Sequence, residues 1–225
     1  MANARYMTDT IDAPVAARSI DPERAAGRSA RLIAAAYELL GEGGTEALTL
    51  RAVLSRSGLA RRAFYECYQS KDGLLFALFE DAIVHGAIYY DSKIKQADSA
   101  TRSLEIIVKG ILENAVAQHP GGNFKRTLAF SQEHLRLALL SPATLFNALR
   151  PLLDLLERVI SLGVERGEFV CRDSFKSAEL IYGVISTACH SELTKLSLDK
   201  IDASATQILS QDLWDFCRKA LSARS

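Results

Sequence analysis

Apolar residues recur along this chain at intervals of three and four, the spacing of a helical face, over most of its length. From Gly27 onward, Leu32, Ile33, Ala36, Leu39 and Leu40 form one such stripe. Gly41-Glu42-Gly43-Gly44 predicts its end, because glycine tolerates the left-handed conformation that stops helices. Thr49 stands where an N-cap belongs, directly before LRAVLSRS. Ser57-Gly58 reads as a turn and LARRAFYE as a third short helix. Ser70 reads as the cap of a fourth, longer helix that begins near Lys71-Asp72 and runs toward Tyr90. Residues 28–69 thus hold three short helices with tight joints.

The remainder is long-helix material, with helices expected near 100–118, 124–139, 142–166, 174–192 and 204–222. Pro120-Gly121-Gly122 separates the first two of these. Ser141-Pro142 is a start signal, a cap followed by proline at the first helical position. Pro151 either kinks that helix or starts it after a short helical turn. Gly167 ends it, Asp173-Ser174 starts the next, and 197–203 read as a loop. No strand-like alternation and no repeat is visible. The fold class is therefore all-α, with about nine helices. Residues 1–24 carry little periodicity, are interrupted by Pro14 and Pro22, and mix both signs of charge; they read as a flexible arm.

Composition narrows the function classes. The 225 residues are 48% apolar and 24% charged, a globular balance that excludes global disorder. The longest apolar runs, Leu32 to Tyr37 and Leu74 to Phe79, are six residues, against the ~18 of a membrane span. The opening MANARYMTDTIDAP lacks the apolar stretch of a signal peptide. Cys67, Cys171, Cys189 and Cys217 are widely spread with no CxxC pair, so free thiols, no zinc site and a cytoplasmic location are expected. No cofactor is implied.

Net charge is zero, so only local clustering can point to an anionic partner. Between Ala47 and Lys71, five basic residues (Arg51, Arg56, Arg61, Arg62 and Lys71) stand against Glu66 alone. The cluster coincides with a helix, a tight turn at Ser57-Gly58 and a second short helix, the order of a helix-turn-helix. In that arrangement the second helix lies in the major groove of DNA with its early residues at base edges. Arg61 and Arg62 fall at those positions, and arginine can bind guanine with two hydrogen bonds. Leu59, Phe64 and Tyr68 form the inward face, which leaves the Tyr65 hydroxyl able to reach a phosphate.

At these residues the chain resembles the TetR family of bacterial transcriptional regulators, over about Arg28 to Phe79. The family pattern is an apolar-Ala helix, a glycine-rich break, a Thr-Leu/Val-Arg entry, an apolar-Ala-x-x-Ala-Gly stretch, and a recognition helix ending Tyr-x-His-Phe-x-x-Lys-x-x-Leu. Here it reads TLRAVLSRSGLARRAFYECYQSKDGLL from Thr49 to Leu75. The resemblance implies that Thr49 caps the second helix and touches a phosphate, that Gly58 is the turn glycine, and that Tyr65 and Lys71 contact phosphates. The DNA-binding set is then Thr49, Arg51, Ala60, Arg61, Arg62, Tyr65 and Lys71. Departures from the pattern are Leu54 and Ser57 for alanines, Ala60 for a Ser/Thr cap, Arg62 for a frequent glycine, and Cys67-Tyr68 for His-Phe.

The resemblance further implies three segments: an arm over 1–24, a DNA-binding domain over 25–80 with its helix-turn-helix near 48–67, and a helical regulatory and dimerisation domain over 81–225. The last two helices would pair with their copies, through Ile181, Ile185, Leu209, Leu213 and Phe216 among others; the same stripe also fits an intramolecular core. A ligand pocket is implied within roughly Ile83 to Gly167. Candidate lining groups are Phe79, Tyr89, Tyr90, Asn114, Phe130, His134, Phe146 and Asn147, with Tyr89, Phe130, His134 and Phe146 as the binding set. The expected function is a dimeric repressor that binds a palindromic operator in double-stranded DNA and is released by a hydrophobic or aromatic effector. The alternative is a helical ligand-binding or protein-interaction module that no longer binds DNA. An enzyme is not expected: no histidine has an acidic residue three positions before it, and HExxH, GxSxG and GxxxxGK[ST] are absent.

Overall fold

A computed structural model describes residues 22–116, 122–198 and 203–222. Among these residues the protein is all-helical, with nine helices: α1 (Pro22–Ala47), α2 (Leu50–Ser57), α3 (Arg61–Cys67), α4 (Lys71–Ile94), α5 (Ala100–Val116), α6 (Gly122–Leu140), α7 (Pro142–Glu165), α8 (Ser174–Leu196) and α9 (Ala203–Ala220). The expected arm lies outside the described residues up to 21, and its last three residues begin α1. The proline-glycine break near 120 and most of the 197–203 loop also lie outside them.

Local chemistry sets the boundaries. The glycine run does break α1, but two residues after its first glycine: Gly43 and Gly44 leave helical geometry, with Gly44 at φ 64°. A final turn to Ala47 follows. The Thr49 side chain accepts from the Ala52 amide at 3.1 Å, and Ser70 accepts from the Gly73 amide at 3.1 Å, so both are caps. Gly58 closes α2 in the left-handed region at φ 63°. There the Arg31 guanidinium donates to the Ser57 carbonyl at 2.6 Å, satisfying a C-terminal carbonyl that the helix leaves unpaired. Helix α7 runs through Pro151 without interruption, so Pro142 and not Pro151 is its start. Helices α4 and α8 extend four residues beyond their expected ends at Tyr90 and Glu192.

Two large cores form. One gathers α5, α7, α8 and α9 around Leu104, Ile107, Leu156, Ile160 and Ile185. The other joins Leu32, Leu40, Val53, Phe64 and Leu78 from the first four helices to Ala129 and Leu137 of α6 and to Leu145, Ala148 and Leu153 of α7. The short N-terminal helices therefore share their core with α6 and α7, and the division expected near 80/81 falls inside α4. Helix α4 is long and apolar enough to cross a membrane by length and composition. Its Leu74, Leu75, Leu78, Phe79, Ala87 and Tyr90 are buried inside the protein.

The turn after α7 is held by a close approach. Gly167 is left-handed at φ 72°, and the amides of Glu168 and Phe169 donate back to the Gly163 carbonyl at 2.8 and 3.1 Å. The Phe169 ring then covers Gly163, where a Cβ would lie 2.1 Å from a ring carbon. Gly163→Ala is expected to cost about 1–3 kcal/mol by overpacking, read as a lower urea midpoint with an unchanged slope. In the same turn the Glu168 carboxylate accepts the Ala100 and Thr101 amides at 3.1 and 2.7 Å, and so caps α5. The Thr101 amide bond, with the others, holds that carboxyl below its usual range.

Candidate nucleic-acid interface and internal cavity

Helix α3 has seven residues, below the length at which a helix persists alone in water. Packing fixes it. Phe64 is buried in the shared core, Tyr65 and Tyr68 flank its ring at 5.4 and 5.9 Å, and the Tyr68 hydroxyl meets Ser29 Oγ of α1 at 2.6 Å. No side chain caps α3, as the alanine at position 60 implies. The predicted inward face holds: Phe64 is fully covered, and Leu59 and Tyr68 are partly buried against the same core.

All seven expected DNA-contacting residues (Thr49, Arg51, Ala60, Arg61, Arg62, Tyr65 and Lys71) are solvent-exposed. Arg61 reaches its neighbour one turn on: its guanidinium lies 5.6 Å from the Tyr65 ring centroid and 3.4 Å from the hydroxyl. Thr49 Oγ1 accepts from its own helix, and its hydroxyl hydrogen remains available to an acceptor. Lys71 is the first residue of α4, where its charge adds to the partial positive charge of the helix N-terminus.

The basic cluster is smaller than the sequence count. Arg56 is held by Glu38 at 2.9 Å and Glu42 at 2.8 Å, both on α1. Arg62 pairs with Glu66 at 3.0 Å, and Glu66 is also bound by Arg28 of α1. Arg51, Arg61 and Lys71 have no carboxylate partner among the described residues. Counting charges along a segment cannot register partners 14 to 38 positions away.

Behind this face lies a cavity of about 610 Å³, within the range typical of small-molecule sites. Its walls come from α1, α4, α5, α6, α7 and α8. Of the expected lining, Phe79, Tyr90, Asn114, Phe130 and His134 are present. Tyr89, Phe146 and Asn147 are not. Tyr89 is 45% exposed, set edge-on to Tyr90 with the Lys93 ammonium over its ring. Phe146 is 38% exposed and packs on Phe175. The residues unforeseen from sequence include Tyr37 from α1, Asp81 and His85 from α4, Arg126 and Ser131 from α6, and Tyr182, Ser186 and Cys189 from α8. The cavity thus extends beyond the expected span of Ile83 to Gly167 at both ends. One signal for it was available: Ser131 and His134 on α6, and Ser186 and His190 on α8, interrupt otherwise apolar faces.

Those interruptions pair. Ser131 Oγ meets His190 Nδ1 at 2.9 Å, and Ser186 Oγ meets His134 Nδ1 at 3.2 Å. Asn114 donates to the Tyr90 hydroxyl at 2.9 Å, and the Tyr37 hydroxyl donates to Asp81 Oδ2 at 2.8 Å. Burial pushes the Tyr37, Tyr90 and Tyr182 hydroxyls up, so all three stay neutral. Burial likewise raises the Cys189 thiol to about 12, which leaves it unreactive as a nucleophile at neutral pH. None of the four cysteines is joined in a disulfide.

His134 lies between Phe79 and Tyr182, with ring centroids 5.4 and 5.9 Å away. Burial, and then the nearby His190, hold its imidazole below the ordinary 6.5. The folded chain therefore takes up this proton less readily than the unfolded chain. The stabilisation is complete above pH 6.5 and is lost as pH falls through the folded value. Melting temperature should fall between pH 7 and 5, and less so in His134→Gln. Glu168, whose ordinary value is 4.5, acts below this window.

The expected dimer residues divide. Ile181, Ile185 and Leu213 are at most 5% exposed within the chain's own core, and Leu209 packs partly buried against it. Of the five, only Phe216 is exposed, at 60%, and it is joined by Ile208 at 62% and Leu180 at 63%. For Ile181, Ile185 and Leu213 the intramolecular alternative prevailed.

Residues 32–78 match the family model of the bacterial regulatory proteins of the tetR family. In its N-terminal helices this chain is similar to the TetR family. No curated protein matches it by sequence. Several solved structures share the fold. Over 91% of this chain and 97% of its own, RolR in complex with resorcinol aligns with a TM-score of 0.66 at 16% identity. The regulator FadR of Bacillus subtilis, in complex with stearoyl-CoA, aligns over 86% of this chain and 99% of its own, with a TM-score of 0.64 at 18% identity. A TetR-family regulator of Pectobacterium atrosepticum aligns over 91% and 99%, with a TM-score of 0.69 at 18% identity. The TetR-type helices α1 to α4 carry the helix-turn-helix of a DNA-binding regulator, and two of these neighbours hold small molecules.

Proposed function

We propose that this chain is a dimeric transcriptional repressor, located in the cytoplasm, whose hold on a palindromic operator is weakened by a hydrophobic or aromatic effector. The observation that carries this reading is a shared wall: α1, on which α3 packs, and α4, which shares the core that buries Phe64, also line the cavity. Residues 25–80 would form the DNA-binding domain, and 81–225 the regulatory and dimerisation domain. Arg61 and Arg62 would read bases, while Thr49, Arg51, Tyr65 and Lys71 would hold phosphates. Ala60 would allow close approach at the start of α3.

A dimer is favoured by the physics of groove reading. One seven-residue helix covers one groove face, whereas two related by a dyad read half-sites about 34–36 Å or a multiple apart, and their affinities combine. The exposed Leu180, Ile208 and Phe216 on α8 and α9 are the apolar groups such a pairing would cover. The resorcinol of RolR and the acyl chain of the stearoyl-CoA in the Bacillus subtilis FadR support an effector with an aromatic or apolar body here.

Release would follow from population shift: a ligand that prefers the conformer with misplaced α3 helices weakens DNA binding by its differential affinity. Helix α4 is a natural lever, with Lys71 at the DNA end and Phe79 to Tyr90 at the cavity. Selection of bound sites from random DNA tests the reading. An inverted repeat should emerge, with log K falling steeply against log salt. A monomer with a flat salt response would refute it.

A further inference from the structure

The geometry points to Arg126 as the anion-binding group of the cavity, and so to an effector that is a carboxylate on an apolar body. This rests on the reading of the cavity as an effector site. Arg126 lines the cavity, and its guanidinium lies 5.4 Å from the centroid of the Tyr37 ring. Among the described residues no carboxylate or carbonyl accepts from it. The ring engages its charge but satisfies none of its five N–H donors with an oxygen. Its sequence neighbour Lys125 is committed elsewhere, donating to the Glu42 carbonyl at 2.8 Å.

The other charges of the lining are already engaged. Asp81 Oδ2 receives the Tyr37 hydroxyl at 2.8 Å and lies 3.4 Å from His85 Nδ1. The Tyr37 hydroxyl and the His85 ring already face that oxygen, and among the described residues a carboxylate at Arg126 displaces no hydrogen bond. Held below its ordinary value, His134 adds a neutral imidazole rather than a second cation. Phe79, Tyr90, Phe130 and Tyr182 supply the apolar walls for the body. Arginine and a carboxylate match as a two-pronged pair, and hydrogen bonds to charged groups are the strong ones.

Matched probes test this: 3-phenylpropionate against 3-phenylpropionamide, and decanoate against decanamide, titrated into the full chain by calorimetry. Each acid and its amide share a shape and differ in charge. At least one acid should bind, roughly ten- to a hundredfold more tightly than its amide. Which acid binds distinguishes an aryl from an alkyl body. Arg126→Gln should remove the difference, and Arg126→Lys should restore part of it. Lys125→Gln should leave it unchanged.

Equal binding of acid and amide, an acid preference that survives in Arg126→Gln, or no binding by either acid at millimolar concentration overturns the assignment. Should Arg126→Gln melt far below the parent chain, the Arg126→Lys ratio decides. An acid that binds through Arg126 yet leaves operator binding unchanged would keep the anion site and refute effector release.

Discussion

Phe64→Ala is expected to abolish operator binding while most of the protein stays folded. Phe64 is 2% exposed and is the buried residue of α3. Truncating a buried phenylalanine costs about 3–5 kcal/mol through lost burial and the cavity left behind. Seven residues cannot hold a helix without that anchor, because nucleating a helix is unfavourable and few bonds follow. The core around Leu104, Ile160 and Ile185 does not include Phe64. Far-UV circular dichroism should therefore show partial loss of helix at moderate temperature, with operator affinity down at least about a hundredfold. Trp214 belongs to that other core, so its fluorescence should change little. Phe64→Leu should recover most of the binding. Full operator affinity in Phe64→Ala would mean that α3 is held by something other than this core.

Arg61→Ala is expected to cost about 1–3 kcal/mol at each half-site, hence about 2–6 kcal/mol for a twofold complex, and to relax one base position per half-site. The residue is exposed and has no carboxylate to compete with DNA among the described residues. Lys71→Ala should act differently: binding weakens on all sequences alike, and the salt slope falls by about one per half-site. Arg62 is tied to Glu66 at 3.0 Å and must give up that pair to reach a base, so Arg62→Ala should lose less. Site selection with each variant separates these outcomes. An unchanged base preference in Arg61→Ala would remove it from the base-reading set.

Much of the fold was legible because its determinants are local. Thr49, Ser70 and Asp173 are caps, Gly58 and Gly167 are left-handed stops, and Pro142 opens α7, each in the role that its residue type and neighbours imply. The inward face of α3 was legible for the same reason. The proposed base and phosphate contacts were legible as exposed positions, since a short amphipathic helix leaves its polar face to solvent. Among the cavity residues, the aromatic and amide groups Phe79, Tyr90, Asn114, Phe130 and His134 were recovered. Tyr37 and Arg126 were not, because they meet across 89 positions and no helical period connects them.

The amino-acid order by itself determined that this chain is helical, where most of its helices begin and end, and that a short cationic helix follows a tight turn. These depend on contacts within a few residues, and the side chains concerned carry that information wherever they are placed. Only the tertiary structure decided which apolar stripe meets which. It turned Ile181, Ile185 and Leu213 inward and left Leu180, Ile208 and Phe216 outside, neutralised Arg56 with two glutamates of α1, and brought Tyr37 beside Arg126 at the cavity. Periodicity fixes which face of a helix is apolar, while the packing of distant helices fixes what that face touches.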